Sequence, residues 1–475
     1  MHRLLFLIIV TIFILPNPLQ AQPFSDLLFQ QYETYKEPTL THRRFKHRDI
    51  AALVNDLDSP FEVRTLGQSV EGQPIYLVKI GSGETKVLLW SQMHGNEPTA
   101  TMAIMDIFNF FEKKDGLADY KKAILENTTL YFIPMLNPDG ANKYQRRNAL
   151  DIDLNRDAQR QQTPEGRILK DIRDELQADW GFNLHDQSRY YSVGTTNKTA
   201  TISFLAPAFN YAKDINAVRK QSIQLIGLMN QTLQKYMLGH VAKYNDTFEP
   251  RAFGDNIQKW GTSTILIESG GYKNDPEKQF IRKMNFIGLL TAFYQIAERQ
   301  YATDDMQNYE SIPFNARYFH ELVIRNATAK DGNYRYLTDV AFRQNEIQFN
   351  NDQSFYYRRY ISDLGDLSTY HGYHELDATG HTIVLGKHYP KTFKNVKKVR
   401  KKGIQNLLEQ GYSAVRVKEI TNEDRKAALP ITILRPDDGF STDLRMGGNP
   451  SFFLEKNGEQ KMVVVNGQVF ELEQL

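Results

Sequence analysis

Val87-Leu88-Leu89-Trp90-Ser91-Gln92-Met93-His94-Gly95-Asn96-Glu97-Pro98 is the stretch on which the fold turns. The apolar run at residues 87–90 has the length and composition of a buried strand, and Pro98 opens an amphipathic segment that continues to residue 111. The order is therefore strand, loop, helix. His94 and Glu97 stand at that junction, three positions apart, where both side chains can turn toward one point. A neutral imidazole with a carboxylate suits zinc. His-x-x-Glu is common by chance, so its meaning depends on the surrounding chain.

Working outward, apolar runs of strand length alternate with amphipathic helices. A helix-like segment at 47–57 precedes strand-like runs at 61–66 and 75–80, which are joined by a hairpin turn at 67–74. Further strands are expected at 86–91, 129–135, 180–184 and 263–267, and helices at 98–111, 163–177, 215–237 and 275–299. Such alternation indicates an α/β domain around a mixed, largely parallel sheet. Thr163-Pro164 and Asp275-Pro276 each set a capping side chain before a proline, which marks two helix starts. After about residue 305, short alternating runs at 321–325, 339–343, 382–385 and 462–465 are separated by Gly, Asn and Asp, as in a β-rich domain. A basic helical stretch at 391–410 interrupts them and reads as a solvated helix face.

The expected division is a signal peptide at 1–21, a catalytic domain at 22–304 and a β-rich accessory domain at 305–475. His2 and Arg3 precede an apolar run at 4–15, and the small residue Ala21 gives the expected cleavage point. About 12 apolar residues fall short of the roughly 20 that span a bilayer, so no stable membrane insertion is expected after cleavage. The chain is expected to be secreted or periplasmic. Its 58 basic and 56 acidic side chains leave a net charge of +2, which offers no general attraction to nucleic acid. There is no cysteine, which excludes disulfides, a cysteine nucleophile and thiolate metal sites. Any metal must be held by His and carboxylate.

Three further elements complete a candidate site. His185 ends the apolar run 180–184, which delivers it to the same sheet edge as His94 and Glu97 and leaves a fourth metal position for water. Arg146-Arg147 and Asp153-Leu154-Asn155-Arg156 follow the turn Asn137-Pro138-Asp139-Gly140; two arginine clusters can supply an oxyanion stabiliser and a fork for a carboxylate. Glu268 ends the run 264–267 before Ser269-Gly270-Gly271, where it can act as general base on metal-bound water.

In this order, with Gly67-Gln68-Ser69-Val70-Glu71-Gly72 upstream, the motifs resemble the zinc carboxypeptidase family typified by carboxypeptidase A, over roughly residues 45–300. The resemblance implies an α/β/α sandwich and one catalytic zinc per chain, held by His94, Glu97 and His185. It implies that Glu268 deprotonates the zinc-bound water and passes that proton to the leaving amine. Arg146 would stabilise the oxyanion, with Arg147 as the alternative occupant of that role. Asn155 and Arg156 would hold the terminal carboxylate of the substrate, and Asp153 would orient the ring of His94. Two departures stand out: the stretch Arg251-Ala252-Phe253-Gly254-Asp255-Asn256 shows no substrate-capping tyrosine, and Asp157 stands where an Asn is usual. Phe253 and Trp260 hint at an apolar or aromatic side-chain pocket.

Residues 322–327, 339–343, 375–380 and 463–467 resemble the small β-sandwich that accompanies the barrel of amidohydrolases. Gly386-Lys387-His388-Tyr389-Pro390 carries one His where that family has His-x-His, so the domain is expected to be an accessory without catalysis. His371-Gly372-Tyr373-His374-Glu375 reads as a tyrosine-rich strand edge. The function expected is that of a secreted zinc metallocarboxypeptidase acting on a peptide or amide substrate with a free carboxylate. A zinc-dependent amidase or deacylase for cell-wall peptides or small acylated amino acids is the alternative, followed by a non-catalytic peptide-binding protein.

Overall fold

Strand β3 (Thr85–Ser91) lies inside an eight-stranded sheet because both of its faces are apolar. Val87 and Leu89 enter one core and Leu88 and Trp90 the other, as alternation along a doubly covered strand requires. The computed structural model describes residues 23–475; the expected signal peptide lies outside the described residues. An arm carrying α1 (Phe24–Gln31) leads to α2 (His47–Asn55) and the hairpin β1 (Glu62–Gln68) and β2 (Pro74–Gly81). After β3 come α3 (Thr99–Glu112), α4 (Ala118–Asn127), β4 (Thr128–Ile133), α5 (Pro138–Asn142), α6 (Pro164–Leu176) and β5 (Trp180–Asp186). The domain continues through β6 (Ser192–Val193), β7 (Ile202–Leu205), α7 (Ala217–Gln234), β8 (Val241–Lys243), α8 (Phe253–Lys259), β9 (Ser263–Ser269) and α9 (Gln279–Ala297).

The sheet order is β1-β2-β4-β3-β5-β9-β7-β8, and the four central strands β4, β3, β5 and β9 run parallel. One face packs on α1, α3, α7 and α9, the other on α6 and α8, which gives three α/β/α layers. Thr163 caps α6 through Gly166 N–H, with Pro164 in the first turn. The second expected helix start is displaced: α9 begins at Gln279, not at Asp275. Asp275-Pro276 forms a preceding turn, from which the Asp275 carboxylate accepts the free N–H groups of Gln279, Phe280 and Ile281.

Beyond α10 (Gln307–Glu310), strand β10 (Asn315–Ala316) pairs with β6, and a second eight-stranded sheet follows. Its strands are β11 (Phe319–Asp331), β12 (Tyr334–Phe349), β13 (Ser354–Gly365), β14 (His371–Asp377) and β15 (Thr382–Leu385), then β19 (Phe452–Lys456), β20 (Glu459–Val465) and β21 (Gln468–Glu471). β11 pairs with β14 along its first half and with β15 at Thr328, so the sheet forks. The insertion is not a helix over its whole length. Residues 391–395 belong to β16 (Lys387–Asn395), which joins β17 (Tyr412–Glu419) and β18 (Thr432–Leu434) in a small parallel sheet. α11 (Val396–Lys402) and α12 (Ile404–Glu409) break at Gly403, whose φ is +89°. Val396 and Val399 are buried while Lys397, Lys398 and Arg400 face solvent, so the basic residues form the wet side of an amphipathic turn.

Candidate metal centre and cleft

Each site residue stands where a parallel strand or its following loop runs out. Gln92, held at φ +50°, breaks β3; its side chain bonds Gly95 O at 2.8 Å and accepts from Thr101 Oγ1 at 3.0 Å, which fixes the loop bearing His94 and Glu97. Gly95 lets this loop touch the turn at Asn137: a Cβ there would lie 2.0 Å from Gly140 C. Asn137 Nδ2 spans the two segments, donating to Met93 O and Arg146 O. His185 and Glu268 are directly opposed in the β5–β9 ladder.

His94, Glu97 and His185 are buried, and one ligand atom from each lies within 4.8 Å of the others. His94 Nδ1 is 2.9 Å from Glu97 Oε1, His185 Nδ1 is 2.8 Å from Glu97 Oε2, and the two Nδ1 atoms are 3.2 Å apart. Among the described residues this is the one metal-capable cluster of its kind. His94 Nε2 meets Asp153 Oδ1 at 3.0 Å, an arrangement that orients the ring with Nδ1 toward the cluster. Arg146 Nη1 lies 3.1 Å from both Glu97 Oε1 and His94 Nδ1. A guanidinium thus already leans on the ligand atoms. The donor set fits zinc: two imidazoles and a carboxylate converge without any thiolate.

Burial works against charge on His94, but Glu97 and Asp153 outweigh it and raise its pKa to about 9. His185 is held below the usual histidine range by burial, which Glu97 only partly offsets. Burial would raise Glu97, yet the two histidines hold it well below the usual carboxylate range. Glu268 behaves oppositely: burial first, then the nearby Glu97 charge, push it well up. Its Oε2 is buried without a hydrogen-bond partner.

Arg146 also grips Asp153 Oδ2 through Nε at 3.2 Å and Nη2 at 3.0 Å. Arg147 instead turns to Asp151 O at 2.7 Å. Asn155 Oδ1 accepts Phe253 N–H at 2.9 Å, and Arg156 is exposed, with Nε 3.5 Å from Glu249 Oε2. Asp157 is structural: it accepts the N–H groups of Gln162 and Thr163 and the Thr163 hydroxyl, which holds the turn into α6. Phe253 is fully buried in the α6–α8 core, and Trp260 packs against that core with Lys170 4.6 Å from its ring centroid. The aromatic pocket read from these two residues is therefore replaced by core packing.

Sequence reasoning missed two groups. Asp186 takes Thr99 Oγ1 at 2.7 Å and Lys278 Nζ at 2.9 Å, while its N–H binds Glu97 Oε2 at 3.1 Å. Its place next to His185 was the available signal. Tyr244, just past β8, lies close enough to Glu268 for that charge, after burial, to raise its phenol pKa. Nothing in its local sequence marks it.

The profile of a family described as "Zinc carboxypeptidase" matches residues 47–217. Those residues are thus similar to the zinc carboxypeptidases. The family segment is similar to "Carboxypeptidase SOL1" of Arabidopsis thaliana, 30% identical over 143 residues, which are 27% of this chain and 28% of that protein. It is also similar to "Gamma-D-glutamyl-L-diamino acid endopeptidase 1" of Lysinibacillus sphaericus, 32% identical over 105 residues, or 20% of this chain and 26% of that one. The match thus spans about a quarter of each relative's length. The solved carboxypeptidase A from Helicoverpa armigera aligns at 15% identity and a TM-score of 0.42, covering 58% of this chain and 79% of that chain.

Proposed function

We propose that this protein is a secreted zinc metallocarboxypeptidase that hydrolyses the C-terminal peptide bond. The observation that carries the reading is the convergence of His94 Nδ1, His185 Nδ1 and Glu97, with Glu268 opposed to His185 on the next strand. A zinc ion held by these three would supply Lewis acidity and ionise a water at neutral pH. Glu268, opposite His185 in the ladder, would take a proton from the water on its carboxylate and deliver it to the leaving amine nitrogen. Arg146 swings from the ligand atoms to the scissile carbonyl and neutralises the oxyanion, while Arg147, bound to Asp151, stays outside. Asn155 and Arg156 hold the substrate carboxylate, and Asp153 keeps the His94 tautomer. The export reading of residues 1–21 belongs to this proposal. Among the described residues no helix is long and apolar enough to cross a membrane.

The test is digestion of a mixed peptide library by the zinc-loaded protein, with and without a chelator, read by mass spectrometry. Chelator-sensitive loss of single C-terminal residues supports the reading, and C-terminally amidated peptides should resist. Equal cleavage of amidated peptides would favour the second reading, a zinc amidase for cell-wall peptides or small acylated amino acids. The similarity to an endopeptidase named for γ-D-glutamyl bonds favours keeping that alternative.

A further inference from the structure

A cavity of about 320 Å³ opens beside Glu97 and runs between Asp186 and Arg189 on one side and Arg43, Tyr144 and Glu346 on the other. Neither Arg146 nor Arg156 lines it. Glu97 Oε1 faces Arg146, whereas Oε2 faces the backbone N–H of Asp186, and neither Asn155 nor Arg156 lines the cavity. A peptide whose carboxylate is held at Asn155 and Arg156 therefore places its N-terminal portion here, a step that rests on the carboxypeptidase reading.

The far wall is built by parts of the chain outside the catalytic sheet. Arg43, on the N-terminal arm, donates from Nε to Pro276 O at 2.8 Å and from Nη1 to the Tyr144 hydroxyl at 2.6 Å, and pairs through Nη2 with Glu346 on β12. Arg44 binds the other oxygen of Glu346 and donates to Asp352 O at the hairpin tip. Both guanidinium groups lie against the Phe355 ring of β13, at 4.9 and 4.6 Å from its centroid. Nearer the base of the hairpin, Gln344 N–H reaches the Tyr190 hydroxyl at 2.9 Å. Tyr373 of β14 enters the glycine turn after Glu268 and Ser269, where a Cβ on Gly271 would sit 2.2 Å from its oxygen. Glu346 is held ionised by its two arginines against the pull of burial, and Arg43 Nε also lies 4.0 Å from Glu277 Oε2, so the two arginines of this wall face two carboxylates. The wall stops a chain without offering it a charge.

We infer that the β12–β13 hairpin and Arg43 form a length-limiting wall, which restricts substrates to short peptides or N-acylated amino acids. The cavity lies at the lower end of the ~300–1,000 Å³ typical of small-molecule sites, room for roughly one or two residues before the scissile bond. The test is a ladder of N-acetylated alanine peptides sharing the C-terminal residue removed fastest, with lengthening N-terminal portions, cleaved by the zinc-loaded full chain. kcat/KM should drop several-fold once the portion exceeds what the cavity holds. In Phe355→Ala and Glu346→Gln, each shown to melt cooperatively, the long-to-short ratio of kcat/KM should rise several-fold. Equal cleavage of all lengths by the unaltered protein, or a ratio unmoved in both folded variants, overturns the wall. Cleavage of no peptide in the ladder would overturn the carboxypeptidase reading beneath it.

Discussion

Glu268 lies outside the cluster of His94, Glu97 and His185, so the proposed base can be tested separately from the proposed zinc binding. Glu268→Gln should lower kcat by about 10²–10⁴ while zinc content stays unchanged, as measured by steady-state kinetics and metal analysis. The ligands should behave in the opposite way. Zinc returned to chelator-stripped protein should raise Tm, contributing about 2.7 kcal/mol at a hundredfold excess over Kd. His94→Ala or Glu97→Ala should abolish that rise. A third residue tests the fold through pH. Burial raises Asp255 to about 7, with its Oδ1 accepting Glu249 N–H at 3.0 Å. Below about pH 4 both folded and unfolded chains hold this proton; above that the unfolded chain releases it first, so stability falls as pH rises through the folded pKa. Asp255→Asn keeps the acceptor oxygen and removes a penalty on the order of 4 kcal/mol at most. Its Tm should exceed the parent's at pH 8 and converge with it toward pH 4.

Elements were legible in the sequence wherever one local pattern decided them. His94 follows an apolar strand, and His185 and Glu268 stand at the ends of theirs, so their common sheet edge could be read from spacing alone. The start of α9 could not, because Asp275 caps across a turn instead of sitting next to the helix. β16 was hidden because its basic residues run straight into α11 and carry no period that separates them. The pairing of Arg43 with Glu346 joins residues 303 positions apart, a distance at which no local pattern operates. A similar long-range tie sets an element-scale prediction. Asp106 on α3 is fully buried and receives Arg282 Nε at 2.7 Å, the Tyr32 hydroxyl at 2.9 Å and Glu37 N–H at 2.7 Å. Asp106→Ala should destabilise by about 3–5 kcal/mol, because it leaves a guanidinium buried without its counter-charge. Urea melts would register this as a lower midpoint at unchanged slope.

At the scale of the molecule, the arm and the second sheet both converge on the α/β/α layers, one from each end of the described chain. The arm inserts Phe24, Leu28, Tyr32 and Tyr35 into the main core, and Arg282 closes it by donating to Leu40 O at 2.6 Å and Glu37 O at 3.1 Å. This closure has a cost in time. Glu37 and Arg282 are 245 residues apart, so at ~5–20 residues per second the arm waits roughly 12–50 s of synthesis for the helix that anchors it. Through that interval Phe24 and Tyr35 can meet Phe110 and Tyr120 but not Phe286 and Tyr294 of α9, which makes the half-covered arm the segment a holding chaperone would need to cover.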